Sequence, residues 1–415
     1  MSLRPSEDAA AGLAACTLGW HDRERRLLVI GDAMLDETVT VRPARLSPEQ
    51  GHAVVHDYLT RGRVPGGAAR TVACLQQLLG YRVPLWAAFH AQDRRAQCIG
   101  LHQPPSWSLW ADDSALGKLT HKQRVQTEDG TLLLRVDRDM RILSQPDVVI
   151  APVEDAVTAV TVAATARPFA PQVVLVSDYG KGVVALPDGH ALGWDKFAQL
   201  VATRGGTVLL DSPRLAVWAA WATPRTVFKT NLSGAVTLLR DLLYDARKLT
   251  LRTCNAVTEW VVRYDQDRWR SGLVATWPAL LLKCCLRDLG WEFAAVIVTA
   301  GSEGAAVAAA QSRKALRCAL PVDAGSPSYG LRPFNCGAGD AFLAALALSL
   351  PLHTSPDWRA CGLTATRLAA AYVRDGWSAL TAANLQTCTR TTVPRPQGGS
   401  PSSKPPGALY VPSVN

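Results

Sequence analysis

Four short, largely apolar runs, Leu27 to Ile30, Val173 to Val176, Thr207 to Leu210 and Ala294 to Val298, each stop at a glycine, serine, aspartate or threonine. Runs without alternation of apolar and polar residues suit strands buried on both faces, as in a parallel sheet. Helical spacing separates them: Ala68 to Leu79 opens at the Gly66-Gly67 pair and stops at Gly80. The repetition predicts an α/β fold, a doubly wound and mostly parallel sheet between helices. Ligands would bind where the small and acidic residues end the strands.

Two stretches break this alternation. Val39 to Tyr58 and Lys122 to Val136 carry short alternating patterns, which predict antiparallel strands outside the main sheet: a small lid near 39–58 and 122–136. Arg240 to Leu289 is rich in Leu, Trp, Arg and Cys without strand punctuation and reads as a helical insertion. Pro, Gly, Ser and Thr dominate from about Thr389, which predicts a disordered tail.

Composition closes off several classes. With 48% hydrophobic and 19% charged residues among 415, the chain can bury a large core. Its formal charge of +9 favours anionic partners without choosing one. No apolar run approaches the roughly 18 residues of a membrane span, and the acidic Glu7 and Asp8 argue against a leader. A cytoplasmic protein is expected, with an organelle as the alternative and no membrane partner. The ten cysteines form no C-x-x-C pair and no metal spacing with histidine, so free thiols and no cysteine-built metal site are expected. There is no P-loop, and no G-x-G-x-x-G follows the first strand. Arg23 to Arg26 is too short a basic patch for nucleic acid, and Trp107, Trp110, Trp218 and Trp221 are expected to pack rather than to stack bases.

The segment richest in chemistry is Asn335-Cys336-Gly337-Ala338-Gly339-Asp340-Ala341-Phe342, leading into a run of small residues. Its glycines let a backbone approach an anion, and a helix starting there aims free N–H groups at a phosphate. A carboxylate inside that turn can take the proton of an attacking hydroxyl.

Gly337 to Asp340 resembles the C-terminal signature of the PfkB/ribokinase-like carbohydrate kinases, and Pro65-Gly66-Gly67-Ala68-Ala69 resembles their N-terminal one. Gly31 to Asp36, Arg45 to Glu49, Lys122 to Val125, Leu134 to Asp137 and Ser177 to Gly182 are, in order, similar to the D-glycero-β-D-manno-heptose-7-phosphate kinases within that family. The resemblance runs from about Leu27 to Ala383 and thins between Leu215 and Phe293. It implies a three-layer αβα sandwich with an eight- or nine-stranded, mostly parallel sheet and a β-lid. It also divides the chain into an extension (1–26), a kinase domain (27–383) and a low-complexity tail (384–415).

The same resemblance implies ATP and Mg2+ as cofactors and a sugar or sugar phosphate as acceptor, heptose 7-phosphate at its anomeric oxygen being the best match. A homodimer through the lid is allowed. Asp340 would be the base, and Gly337, Ala338 and Gly339 the anion hole. Asp36, Gly66 and Gly67 would hold sugar hydroxyls, with Lys122, Arg124 and Arg135 as cations for a phosphate on the sugar; Arg70, in what the resemblance makes the sugar pocket, would either recruit a sugar phosphate or fill the pocket. Asp178, Asn231, Thr299, Gly301 and Gly304 would face the nucleotide. Asp32 and Asp137 read as turn caps. The chain departs from the family at four motif positions: Gly234 stands for a Glu, Phe334 and Cys336 for Asp and Thr, and Arg70 for an Asn. A catalytically impaired pseudokinase, used for interaction or nucleotide sensing, is therefore the alternative.

Overall fold

The computed structural model describes residues 26–46, 53–87, 93–100, 106–108, 119–139, 157–158, 161–162, 165, 171–185, 192–265, 275–319, 337–351 and 354–390. The strands are β1 (Leu27–Gly31), β2 (Ala33–Leu46), β3 (Ala53–Gly67), β4 (Leu85–Ala87), β5 (Ser106–Ser108), β6 (Thr120–Thr127) and β7 (Leu132–Arg138). They continue with β8 (Val173–Ser177), β9 (Thr207–Asp211), β10 (Thr226–Asn231), β11 (Ala295–Thr299), β12 (Ala305–Ala309) and β13 (Leu316–Cys318).

Nine of these form one sheet in the order β13-β12-β11-β10-β9-β8-β1-β4-β5. All pairs are parallel except β11 with β12 and β12 with β13. The four apolar runs are β1, β8, β9 and β11, side by side in the sheet apart from the intervening β10. Their side chains divide by alternation: Leu28, Ile30, Val174, Val176 and Leu210 feed one core, and Leu27, Val29, Val173, Leu175 and Leu209 the other. Two buried faces require helices on both sides, which gives the expected three layers. Trp194, Trp218 and Trp221 are wholly buried in the first core, Trp194 and Trp221 stacked at 5.7 Å between ring centres. The helix Ala68–Leu79 has the bounds its spacing predicted.

Strand order reverses beside β1, which pairs with β4 on one side and β8 on the other. The carboxyl ends of the parallel strands line up in register, Gly31 with Ser177 and Ser177 with Asp211. Lys229 pairs with Asp211 and Asn231 with Thr299. A crevice at such a reversal is where this architecture binds ligands.

The lid is a separate four-stranded sheet in the order β3-β2-β6-β7. It departs from the sequence reading in two ways. Its strands start at Ala33 and run to Gly67, so Asp36 and the glycine pair sit at the lid's root rather than outside it. Also, β2 pairs with β6 in parallel, because the chain crosses the main sheet through β4 and β5 before returning. The Arg240 to Leu289 stretch is helical where described, with helices at Leu251–Asp265 and Thr276–Asp288. The helix Ala382–Arg390 crosses the expected domain boundary after residue 383. The extension up to residue 25, Phe334 to Cys336, and the tail from residue 391 lie outside the described residues.

Candidate active site

Gly337 opens the helix Ala338–Ser349 with φ 99°, a left-handed conformation that favours glycine. The reversal it makes aims the first turn of the helix into the crevice and leaves Asp340 in that turn. Asp340 is 4% exposed and accepts from Thr71 Oγ1 at 3.0 Å and from the Tyr179 hydroxyl at 3.4 Å. Burial pushes its carboxyl up to about 6, against the pull of the Arg70 and Lys229 cations. A base in that range is largely ionised at neutral pH yet still accepts a proton readily.

Lys229 stands on the other side of the same turn. A methyl group placed on Gly339 would lie 3.3 Å from Lys229 Nζ, which is ion-paired with Asp211. Sequence reasoning had singled out Asn231 of this segment and passed over Lys229. Thr71, Tyr179, Asp211 and Arg214 were missed in the same way, because each is defined by a partner more than 15 residues away in the sequence.

Arg70 fills the space between this turn and the root of the lid. It is 3% exposed, donates from Nε to Pro65 O at 2.7 Å, and donates from Nη2 to Asp36 Oδ2 at 2.7 Å. Its Cδ and Nη1 press on the helix start: a methyl on Gly337 would lie 2.5 and 2.6 Å from them. Asp36 faces Arg124 Nη1 at 3.5 Å as well, and its Oδ1 is buried without a hydrogen bond among the described residues. Gly66 and Gly67 are needed here. A side chain at Gly66 would strike the Asp36 carboxylate at 2.8 Å, and one at Gly67 the Asp32 carbonyl oxygen at 2.3 Å. Lys122 lies 5.0 Å from the Tyr179 ring centre and feels both Asp36 and Asp137, so Arg70, Arg124 and Lys122 gather near Asp36. Arg135, whose charge also acts on Lys122, is held by Asp137 through two hydrogen bonds within β7, so Asp137 is an ion-pair partner and not the turn cap expected of it.

At the ends of β10 and β11, Asn231 accepts from Gly234 N at 2.7 Å and so caps the helix Leu232–Tyr244. Thr299 Oγ1 donates to Thr230 O at 3.4 Å, joining the ends of β10 and β11. Gly301 and Gly304 shape the turn that follows, both at positive φ. Gly304 admits no side chain, since one would lie 2.4 Å from Cys318 O.

Asp178 is differently employed from its expected place near phosphate and metal. Its carboxylate takes two hydrogen bonds from Arg214, one from Ser212 Oγ and one from the Gly180 amide. Asp32 accepts from the amides of Tyr179, Lys181 and Val183 and caps that loop, as the sequence suggested. Burial, helped by Asp178, pushes its carboxyl up to about 6. With Asp178 saturated, Asp211 paired to Lys229 and a glycine at 234, the described residues do not fit a magnesium ion held by protein carboxylates. They contain no group of three or more His, Cys, Asp or Glu placed to hold a metal.

The backbone can be set beside solved structures. It superposes on Arabidopsis thaliana ribokinase complexed with ribose and ATP with a TM-score of 0.51 at 14% identity, covering 89% of this chain and 100% of that one. For a putative ribokinase from Agrobacterium tumefaciens the values are 0.53 and 16%, covering 88% and 97%. For Giardia lamblia ribokinase they are 0.53 and 12%, covering 88% and 99%. The chain has the ribokinase-like fold. In sequence it is 30% identical over 236 residues to the bifunctional protein HldE of Shewanella piezotolerans, covering 54% of this chain. The HldE protein of Shewanella baltica OS155 gives 30% over 242 residues. The chain spans 44% of the length of these relatives. No protein-family model matches it. The likeness to PfkB/ribokinase-like carbohydrate kinases carried by the motifs thus extends to the ribokinase-like fold as a whole. No helix among the described residues is long and apolar enough to cross a membrane.

Proposed function

We propose that the chain is an ATP-dependent kinase that phosphorylates a hydroxyl of a sugar or sugar phosphate. The observation that carries this reading is Asp340 in the first turn of the helix Ala338–Ser349, buried and raised to about 6, with Lys229 beside the same turn. The acceptor oxygen attacks the γ-phosphorus of ATP, the bond from that phosphorus to the bridging oxygen breaks, and ADP leaves with the electron pair. Asp340 takes the acceptor's proton, and the amides of Gly337, Ala338 and Gly339 bind the charge gathering on the transferred group. Asn231, Thr299, Gly301 and Gly304 line the strand ends where the nucleotide would lie. The lid, rooted at Asp36 and Gly66, would close over the acceptor and keep water out. Motif similarity favours heptose 7-phosphate at its anomeric oxygen as acceptor.

One observation favours a second reading. Arg70 occupies the acceptor carboxylate, and Gly234 removes another acid, as in a pseudokinase that retains the fold for binding. Turnover of ATP with a panel of sugars and sugar phosphates separates the two. Wild-type turnover that Asp340→Asn abolishes supports the kinase. A chain that neither turns over nor is stabilised by ATP is a pseudokinase.

Two copies joining through their lids would account for the exposed leucines of β7. Leu132 and Leu134 are 54% and 55% exposed on an edge strand, where unpaired backbone groups invite another strand.

A further inference from the structure

Arg70 is a positive charge in a place where the fold itself disfavours one. Its Nη1 lies against Gly337, at the amino end of the helix Ala338–Ser349, whose backbone dipole already attracts anions and repels cations. Asp36 pairs with it directly and is shared with Arg124, and the Arg70 charge also acts on the Asp340 carboxylate. Lys122 adds a third cation on the same side. Burial holds the Lys122 ammonium below its usual range, against the pull of Asp36 and Asp137. Arg70, Arg124 and Lys122 thus meet at Asp36, and the positive field on this side of the pocket favours an anion.

A neutral sugar would meet this pocket at a disadvantage. Its hydroxyls need Asp36, and drawing Asp36 away would break the 2.7 Å ion pair of a buried guanidinium, a loss that hydroxyl hydrogen bonds do not restore. An acceptor carrying its own anion changes the exchange. The anion takes the Arg70 guanidinium in a paired contact, and Asp36, including its unbonded Oδ1, is released to accept sugar hydroxyls. Position matters as well as charge. Arg70 touches the turn that carries Asp340, and the next residue, Thr71, hydrogen-bonds Asp340 directly. A phosphate at the far end of a sugar would leave Arg70 where it is.

We infer that Arg70 selects an acceptor whose carboxylate or phosphate sits beside the hydroxyl to be phosphorylated. This rests on the kinase reading and revises its acceptor: in heptose 7-phosphate the anion is remote from the anomeric oxygen. Arg70 is on this account a specificity residue, exchanging an internal counter-ion for a ligand's.

The test is titration calorimetry without ATP, so that its result does not depend on turnover. Glucose, gluconate and glucose 1-phosphate are titrated into wild type, Arg70→Asn and Arg70→Lys, each checked for folding by its melting temperature. Wild type is expected to bind gluconate or glucose 1-phosphate at least about tenfold more tightly than glucose; the stronger of the two identifies the anion as carboxylate or phosphate. Arg70→Asn should lose that preference and gain affinity for glucose, while Arg70→Lys keeps part of it. Equal affinity of wild type for glucose, an anion preference that survives in Arg70→Asn, or failure of wild type to bind either anion each overturns the inference. ATP-dependent phosphorylation of a neutral sugar by wild type would also overturn it while leaving the kinase reading intact.

Discussion

Arg214 grips Asp178 with two parallel donors, Nε to Oδ2 at 2.8 Å and Nη2 to Oδ1 at 2.6 Å, at the carboxyl end of β8. The Asp178 side chain is wholly buried, and Ser212 and the Gly180 amide complete its set of partners. Removing one member of such a pair strands the other, which costs about 3–5 kcal/mol. Arg214→Ala should lose stability on that order in chemical denaturation. The double change Asp178→Asn with Arg214→Met should recover most of it, since neither charge is left unpaired. A loss under about 1 kcal/mol for Arg214→Ala would mean that Asp178 has other work, such as holding a ligand.

Asp340 sets up opposite effects on stability and rate. Its folded-state value of about 6 stands above the ordinary 3.8, so the folded chain binds the proton more tightly than the unfolded one. Stability therefore falls as pH rises from about 4 to about 6, and the penalty is complete above that window. Two units correspond to a penalty on the order of 3 kcal/mol. Asp340→Asn keeps an oxygen for Thr71 and removes the charge. It should raise the melting temperature at pH 7.5, leave it unchanged near pH 4, and abolish phosphoryl transfer. In the wild type, kcat/KM should rise tenfold per pH unit below about 6 and flatten above it. A melting temperature that falls at pH 7.5 would show that the ionised carboxylate is stabilising.

Local signals in the sequence carried the fold well. The apolar runs, the helix Ala68–Leu79 and the glycines at 66, 67 and 337 each declare themselves within a few residues. The site was legible where one residue suffices, as with Asp340 in its glycine turn. It was not legible where a role depends on pairing. Nothing beside Asp178 announces that Arg214 will saturate it, and nothing beside Arg70 announces that Asp36, 34 residues away, will become its counter-ion. Lys229 lay inside a segment read for its asparagine, and only the register of β10 with β9 brings it to Asp211. The lid expected near 39–58 is too short because the alternating pattern does not reach Asp36 or Gly66, whereas pairing between β2 and β3 extends strand structure through both.

Gly234 is a steric fact as well as a missing acid. A side chain there would lie 2.2 Å from Thr230 Oγ1, 3.1 Å from Pro213 Cβ and 3.2 Å from Asn231 Oδ1. Alanine for glycine in a helix ordinarily gains up to about 1 kcal/mol. Here Gly234→Ala should instead lower the melting temperature, because Thr230 must turn away and the Asn231 cap is crowded. Thr230→Ala in the same chain should relieve most of the loss. If Gly234→Ala alone is neutral, the strand end yields easily and a glutamate could be restored there without cost.

The lid edge gives a prediction about assembly. Leu132→Asp with Leu134→Asp places two charges on the exposed leucines of β7 without touching the main sheet. If copies pair through this strand, light scattering should report a dimer for the wild type and a monomer for the variant, with unchanged melting of the monomer. A wild type that is monomeric at high micromolar concentration removes the lid-dimer proposal.

Glu37 ties the lid's root together. Its carboxylate is wholly buried and accepts from Arg61 Nε at 2.6 Å, Arg63 Nε at 2.7 Å and Gln123 Nε2 at 2.7 Å, joining β2 to both neighbours. Burial alone would raise its pKa, but the hydrogen bonds from Arg61 and Arg63 prevail and lower it to about 2. A depressed carboxylate lends stability that is complete above the unfolded value of 4.5 and is lost as pH falls towards about 2. Glu37→Gln keeps the shape and one oxygen for the two Nε donors, but it removes the charge and sets an NH2 group against the Arg61 Nη2 and Gln123 Nε2 donors. Hydrogen exchange at pH 7 should then quicken in β2, β3 and β6 while β8, β9 and β10 stay protected. Lowering the pH of the wild type from 5 to 3 should begin to loosen the same three strands. Uniform quickening across both sheets would contradict a role confined to the lid, and no change at all would make the arginine contacts dispensable.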